Sequence, residues 1–192
     1  FQSRFGVREP RTRHRYCRRM SRVAFIDESQ RGDFYALASI ALPHRHIGTA
    51  RKAVRSLAPT KVARRHLTKE SEPVRRRMLD VFRDLPGTSV VAVSKGHRSV
   101  TACRSELLSH LVTYLLGRGL DRIVFDHVDD AGRRRDLQTL WNTLGRRSRI
   151  TYDHEVAHTT EPLLWVPDAI AWCAGRPEWR GQLDGWVTTL SG

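Results

Sequence analysis

The chain has 192 residues, a length that suits one domain and leaves no room for a second full one. A chain of this size buries roughly 70% of its unfolded surface, so it needs neither disulfides nor structural zinc. Its three cysteines (Cys17, Cys103, Cys173) cannot all pair and none sits in a C-x-x-C, which excludes a disulfide scaffold and a zinc ribbon and fits a reducing cytoplasm. No uncharged run approaches the about 20 residues of a spanning helix, so no membrane segment is expected.

The net charge of +14 rests on thirty arginines and only four lysines. Such a bias reads either as the codon usage of a GC-rich genome or as selection for a polyanionic partner. A basic surface attracts phosphates in both cases, so nucleic acid is the expected partner. Residues 1–19 hold seven of the arginines against Glu9 alone, start with Phe1 and show no apolar periodicity. They lack the apolar core of a signal peptide. This reading makes 1–19 a basic leader, disordered or upstream of a natural start at Met20, and 20–192 a single domain.

From Met20 the elements follow in order. Val23 to Asp27 is a short apolar strand ending on acids, and Glu28 to Gly32 has turn chemistry. Phe34 to Leu42 is a second, largely buried strand, so the two form a hairpin. Ile47, Ala50, Val54 and Leu57 keep helical spacing. Val74, Met78, Val81 and Leu85 repeat it, with Ser71 as a cap and Pro73 in the first turn. Ser89 to Val93 is a third strand. Leu108, Leu111, Val112 and Leu115 mark a helix closed by Gly117 and Gly119.

Ile123 to Phe125 is a fourth strand running into Asp126, followed by a helix on Leu137, Leu140, Trp141 and Leu144 that Asp130 is placed to cap. Ile150 to Tyr152 is a fifth strand. Leu163 to Trp172 is an apolar helix interrupted by Pro167. Trp179, Leu183, Trp186 and Leu190 suggest a last amphipathic helix, weakened by Gly181 and Gly185. The order predicts an α/β fold: a mixed five-stranded sheet with helices on both faces, compatible with an RNase H-like arrangement. A flavodoxin-like fold also alternates, but the opening hairpin and the missing Gly-rich phosphate loop weigh against it.

In such a sheet, carboxylates at the ends of neighbouring strands converge. Asp27 ends strand one, Asp126 ends strand four, and Glu70 stands just ahead of a helix. Pro167 fits the start of a helix, which places Asp168 in its first turn among Trp165, Ile170 and Trp172. Clustered acids repel unless a divalent cation intervenes. Magnesium takes one or two carboxylates and reaches out to phosphate oxygens. Two such ions about 4 Å apart would stabilise the attacking and leaving oxygens of phosphodiester cleavage.

The candidate catalytic set is therefore Asp27, Glu70, Asp126 and Asp168, with Asp27, Asp126, Asp168 and Glu28 as metal ligands for Mg2+ or Mn2+. Arg64, Arg65, His66, Arg75 and Arg76 are the candidate nucleic-acid contacts. Each acid also has a plainer reading: Asp27 as the start of an Asx turn, Glu28 on the other sheet face, Glu70 and Asp168 as helix-entry charges. His154-Glu155-Val156-Ala157-His158 has the H-E-x-x-H spacing, which binds zinc only where a helix brings both histidines to one face, and here it directly follows the fifth strand.

Three segments carry a resemblance. Phe25-Ile26-Asp27-Glu28-Ser29 resembles the opening (F/Y)-I-D-E-S-G of the bacterial domain of unknown function 3800 family. His66 to Arg77 is similar to that family's L-H-F-x-x-E-S-x-x-x-R-R segment. Glu161 to Cys173 is similar to the E-P-L-L-W-(I/L)-x-D-A-x-A-W helix of its actinobacterial members. The likeness spans Met20 to about Trp186. It implies an RNase H-like fold with a carboxylate cluster at Asp27, Glu28, Glu70 and Asp168. Gln30 departs from the family's glycine, and the strand-four acid, here Asp126, varies within the family.

Two functions of different classes follow: a Mg2+- or Mn2+-dependent nuclease or related phosphotransfer enzyme, and a catalytically silent RNase H-like module that binds nucleic acid or protein. A homo-oligomer through the C-terminal stretch is open to both.

Overall fold

A hairpin sets the frame of the sheet. In the computed structural model, which describes residues 21–58, 66–96, 99–126, 128–145, 150–154 and 161–191, β1 (Arg22–Arg31) pairs antiparallel with β2 (Phe34–Pro43) along its whole length. The sequence places a turn over Glu28 to Gly32, but the strand continues through Arg31 and only Gly32 and Asp33 make the turn. Gly32 has φ +59° and Asp33 has none of that sign, the pattern of a II′ turn, whose twist matches the strands it joins. A two-residue turn forces Arg31 opposite Phe34 and so keeps Glu28, Ser29 and Gln30 paired.

α1 (Ile47–Arg55) and α2 (Glu72–Arg83) follow, then β3 (Thr88–Lys95), α3 (Val100–Leu116), β4 (Leu120–Phe125), α4 (Asp130–Leu144), β5 (Thr151–His154), α5 (Trp165–Ala174), α6 (Pro177–Arg180) and β6 (Val187–Ser191). The strands lie in the order β5-β4-β1-β2-β3-β6. β2 and β3 are antiparallel, whereas β4 runs parallel to β1, β5 to β4, and β6 to β3. No described helix is long and apolar enough to cross a membrane.

Strand alternation sorts the core into two layers. Val23, Phe25, Ile40, Val91 and Val124 face α1, α2 and α5. Ala24, Ile26, Leu37, Val90 and Phe125 face α3 and α4. α5 is apolar on all sides and buried except at Asp168, the pattern of a helix enclosed by its neighbours. A short 3-10 helix (Pro162–Leu164) leads into it. Pro167 is then its third residue, where a backbone N–H has no intrahelical acceptor to lose.

Two sequence expectations need correcting. α4 is capped by Asp129, whose Oδ1 accepts the Gly132 N–H at 2.6 Å, and Asp130 is its first residue. Ser71 does hold the N-cap position of α2, without a side-chain hydrogen bond. The segment expected as a last helix is instead α6, a 3-10 turn over Gly181–Leu183, and the sixth strand β6. Gly185, at φ +81°, turns the chain. The β-branched run Val187-Thr188-Thr189 then meets the open backbone edge of β3, which a helix would leave unpaired.

Candidate active site

Parity on β1 decides what the first acids face. Asp27 follows Val23 and Phe25 on the side of α5, four residues before the strand ends, and is buried. Its Oδ1 accepts the Glu28 N–H at 2.7 Å. Asp126 stands two residues beyond Val124, which shares that face, and its N–H donates to the Ile26 carbonyl at 3.1 Å. That bond extends the β1–β4 ladder by one step and sets Asp126 beside the Asp27 stretch of β1.

α5 lays its first turn over the same face. Asp168 is its one charged residue, with a side chain 19% exposed. The positive end of the helix favours a carboxylate there. His66 approaches it, Nδ1 to Oδ2 at 3.4 Å. Glu70 lies on the same short segment, just past a 3-10 turn over Leu67–Lys69. Arg75 fastens that segment to α2, donating from Nε to the Leu67 carbonyl at 2.8 Å and from Nη2 to the Thr68 carbonyl at 3.2 Å. Its guanidinium also lies 4.8 Å from the centre of the Trp172 ring, a cation–π contact.

Glu28 goes the other way. It faces α3, where Arg104 Nη1 contacts its carboxylate. The same guanidinium binds Asp136 of α4 in a two-pronged bond, Nε to Oδ1 at 2.7 Å and Nη2 to Oδ2 at 2.8 Å. Asp136 is 2% exposed, so the arginine neutralises a buried charge. Tyr35, on the same face, has its hydroxyl pKa raised, first by burial and then by the negative charge of Asp136. Arg104 and Asp136 were not singled out by the sequence, because arginine is too common here for one to stand out.

The arginines near the acids are largely engaged. Arg76 pairs with Glu72 one turn back, at 2.7 Å. Arg51 of α1 grips the buried Glu161, with Nε to Oε2 at 2.9 Å, and Arg122 binds Asp153, with Nε to Oδ2 at 2.9 Å. These two pairs border a cleft of about 400 Å3 over Phe25 and Val124. Arg64 and Arg65 lie outside the described residues, as do Glu155 and His158. Cys173 is buried, and burial pushes its thiol up to about 12, against the opposing pull of Arg176 and Arg75.

The structure thus puts Asp27, Asp126 and Asp168 on one face, sets His66 against Asp168, and sends Glu28 to the opposite layer. Among the described residues, no three His, Cys, Asp or Glu side chains stand close enough together to hold a metal ion.

No protein-family model matches the chain, and no curated protein does. Solved structures do. A chain of the PCNA:RNase HII complex from Archaeoglobus fulgidus aligns with a TM-score of 0.55 at 17% identity, over 84% of this chain and 76% of that one. The six-stranded mixed sheet with helices on both faces is an RNase H-like fold.

Proposed function

We propose that the chain is a divalent-cation-dependent nuclease, or a related phosphotransfer enzyme acting on nucleic acid. One observation carries this reading: a helix otherwise buried on every side has a single, partly exposed carboxylate, Asp168, in its first turn, on the sheet face that also holds Asp27. An acid in such a helix is costly unless it has a partner that needs it. Its place in the domain of unknown function 3800 family rests on the three motifs that contain Asp27, Glu70 and Asp168.

The donor chemistry fits Mg2+ or Mn2+. Asp27, Asp126 and Asp168 offer hard oxygens, and magnesium binds through one or two carboxylates completed by water and substrate phosphates. Asp27 and Asp168 would hold the ion with Asp126 beside them and Glu70 at the margin, while Glu28 is committed to Arg104. Such an ion supplies polarisation of a phosphodiester and a more acidic water.

The chain's own groups do the rest. His66 steadies one oxygen of Asp168, as outer partners of ligating carboxylates do. Arg75 holds the His66–Glu70 segment in place through two carbonyls. The arginine-rich surface draws the nucleic-acid backbone toward a negative notch that would otherwise repel it.

The second reading, a silent module that binds nucleic acid or protein, is favoured by the lack of a three-ligand group among the described residues. Labelled single- and double-stranded DNA, RNA and hybrid, incubated with the full chain and Mn2+, separate the two. The enzyme reading expects cleavage that disappears in the Asp27→Asn, Asp168→Asn double variant. Cleavage that survives there ends it, and binding without cleavage favours the module.

A further inference from the structure

The sixth strand creates a second cavity. α5 covers β1 and β2 but stops at Ala174, while the sheet continues through β3 to β6. Over that extension the roof is the α6 segment and its 3-10 turn. Between roof and sheet lies a space of about 440 Å3, within the usual ligand-site range of about 300–1,000 Å3. Its floor is the ladder that pairs Val91 with Thr189 and Val93 with Ser191. Phe34 and Leu183 form apolar walls.

Two cations mark its polar edge. Lys95, the exposed last residue of β3, and Arg180 of α6 both line the space. Arg180 is anchored by its Nε on the Ala174 carbonyl at 3.1 Å, and a guanidinium so fixed retains donors for an anion. The Thr189 hydroxyl and the Asp184 carboxylate offer further hydrogen bonds at the lining. Apolar lining with an aromatic ring suits a ring system, and a lysine and an arginine lining the same space suit a phosphate. The cavity is distinct from the acid site, since Ala174 lies six residues along α5 from Asp168, about 9 Å at ~1.5 Å per residue.

We propose that this cavity binds a nucleoside monophosphate, its base against Phe34 and Leu183 and its phosphate at Lys95 and Arg180. The choice of a nucleotide among phosphorylated rings rests on the nuclease reading, because nucleotides are the units of a nucleic-acid substrate. The match to a phosphorylated ring does not.

Calorimetric titration of the full chain in EDTA, with each of the four ribonucleoside monophosphates, adenosine and ribose phosphate, tests it without any metal chemistry. At least one monophosphate should saturate below about 1 mM, with adenosine and ribose phosphate each about tenfold weaker or worse. Thr189→Trp, a filling change at an exposed strand position, should abolish binding, and Lys95→Ala should weaken it about tenfold. The Asp27→Asn, Asp168→Asn double variant should bind as the parent does. Absence of saturation by every monophosphate overturns the proposal, and so does binding that Thr189→Trp leaves unchanged in a chain of parental circular dichroism. Binding without nuclease activity would sink only the nuclease reading.

Discussion

Asp27 and Glu28 are adjacent, both acidic, and lie in the same strand, yet they belong to different layers of the molecule. Asp27 faces the layer of α5 and Asp168. Glu28 faces α3 and is gripped, together with Asp136, by one arginine. The contrast shows how a sheet divides labour. Alternation sends consecutive side chains to opposite faces, and the residues waiting there decide whether a carboxylate serves a ligand or a fold.

The sharpest way to break that contrast is to neutralise each acid in turn. Asp27→Asn or Asp168→Asn should reduce Mn2+-dependent cleavage to background in a gel assay, whereas Glu28→Gln should keep cleavage and lower stability. If Glu28→Gln abolishes cleavage at parental stability, the division is wrong. Next comes Arg104→Ala, which removes the two-pronged cation from the buried Asp136 and the Arg104 contact from Glu28. A loss of about 3–5 kcal/mol is expected for breaking a buried pair of this kind, read from urea unfolding. A loss below about 1 kcal/mol would mean the network is no better than a surface pair.

A smaller effect is expected on the α5 side. His66→Ala should weaken activity or Mn2+ affinity about 10–100-fold, the usual cost of losing an outer partner of a ligand, with unfolding little changed. Parental metal affinity in that variant would leave His66 as a bystander.

Smallest at neutral pH is the loss of stability linked to Cys173, which appears only in alkali. Its pKa rises from 9.0 to about 12 in the folded chain, because burial disfavours the thiolate. The folded state therefore holds this proton more tightly than the unfolded one. The associated stability is complete below about pH 9 and is lost as pH climbs toward about 12. Tyr35 is shifted in the same direction and adds to the alkaline loss. Iodoacetamide at pH 8 should spare Cys173 until the chain is unfolded in urea, as mass spectrometry would show; rapid native labelling would place it nearer the surface.

Much of this architecture was legible in one dimension. The run Val23 to Asp27 announced a buried strand; of the helical series Val74, Met78, Val81 and Leu85, Met78 is buried and the other three pack half-buried against the core, and Leu108, Leu111 and Leu115 match the buried face of α3. Pro167 and Asp168 pointed to a helix start, which the structure places two residues earlier, at Trp165, with both residues in the first turn. The end of the chain was misread for a physical reason. Trp179, Leu183 and Trp186 keep a helical period, but period measures only which residues want burial, whereas the vacant edge of β3 supplied hydrogen-bond partners that a local pattern does not reveal.

The amino-acid order by itself determined most of the alternation of strands and helices, the presence of acids in β1, just after β4 and in the first turn of α5, and the strongly positive net charge. These depend on neighbours along the chain: periodicity, proline, glycine and charge. Only the folded molecule decided that Arg104 would claim Glu28, that His66 would stand against Asp168, and that β6 would widen the sheet and open a cavity beside α6. Those outcomes are contacts between residues far apart in sequence, and a contact energy exists only once the chain has brought its two partners together.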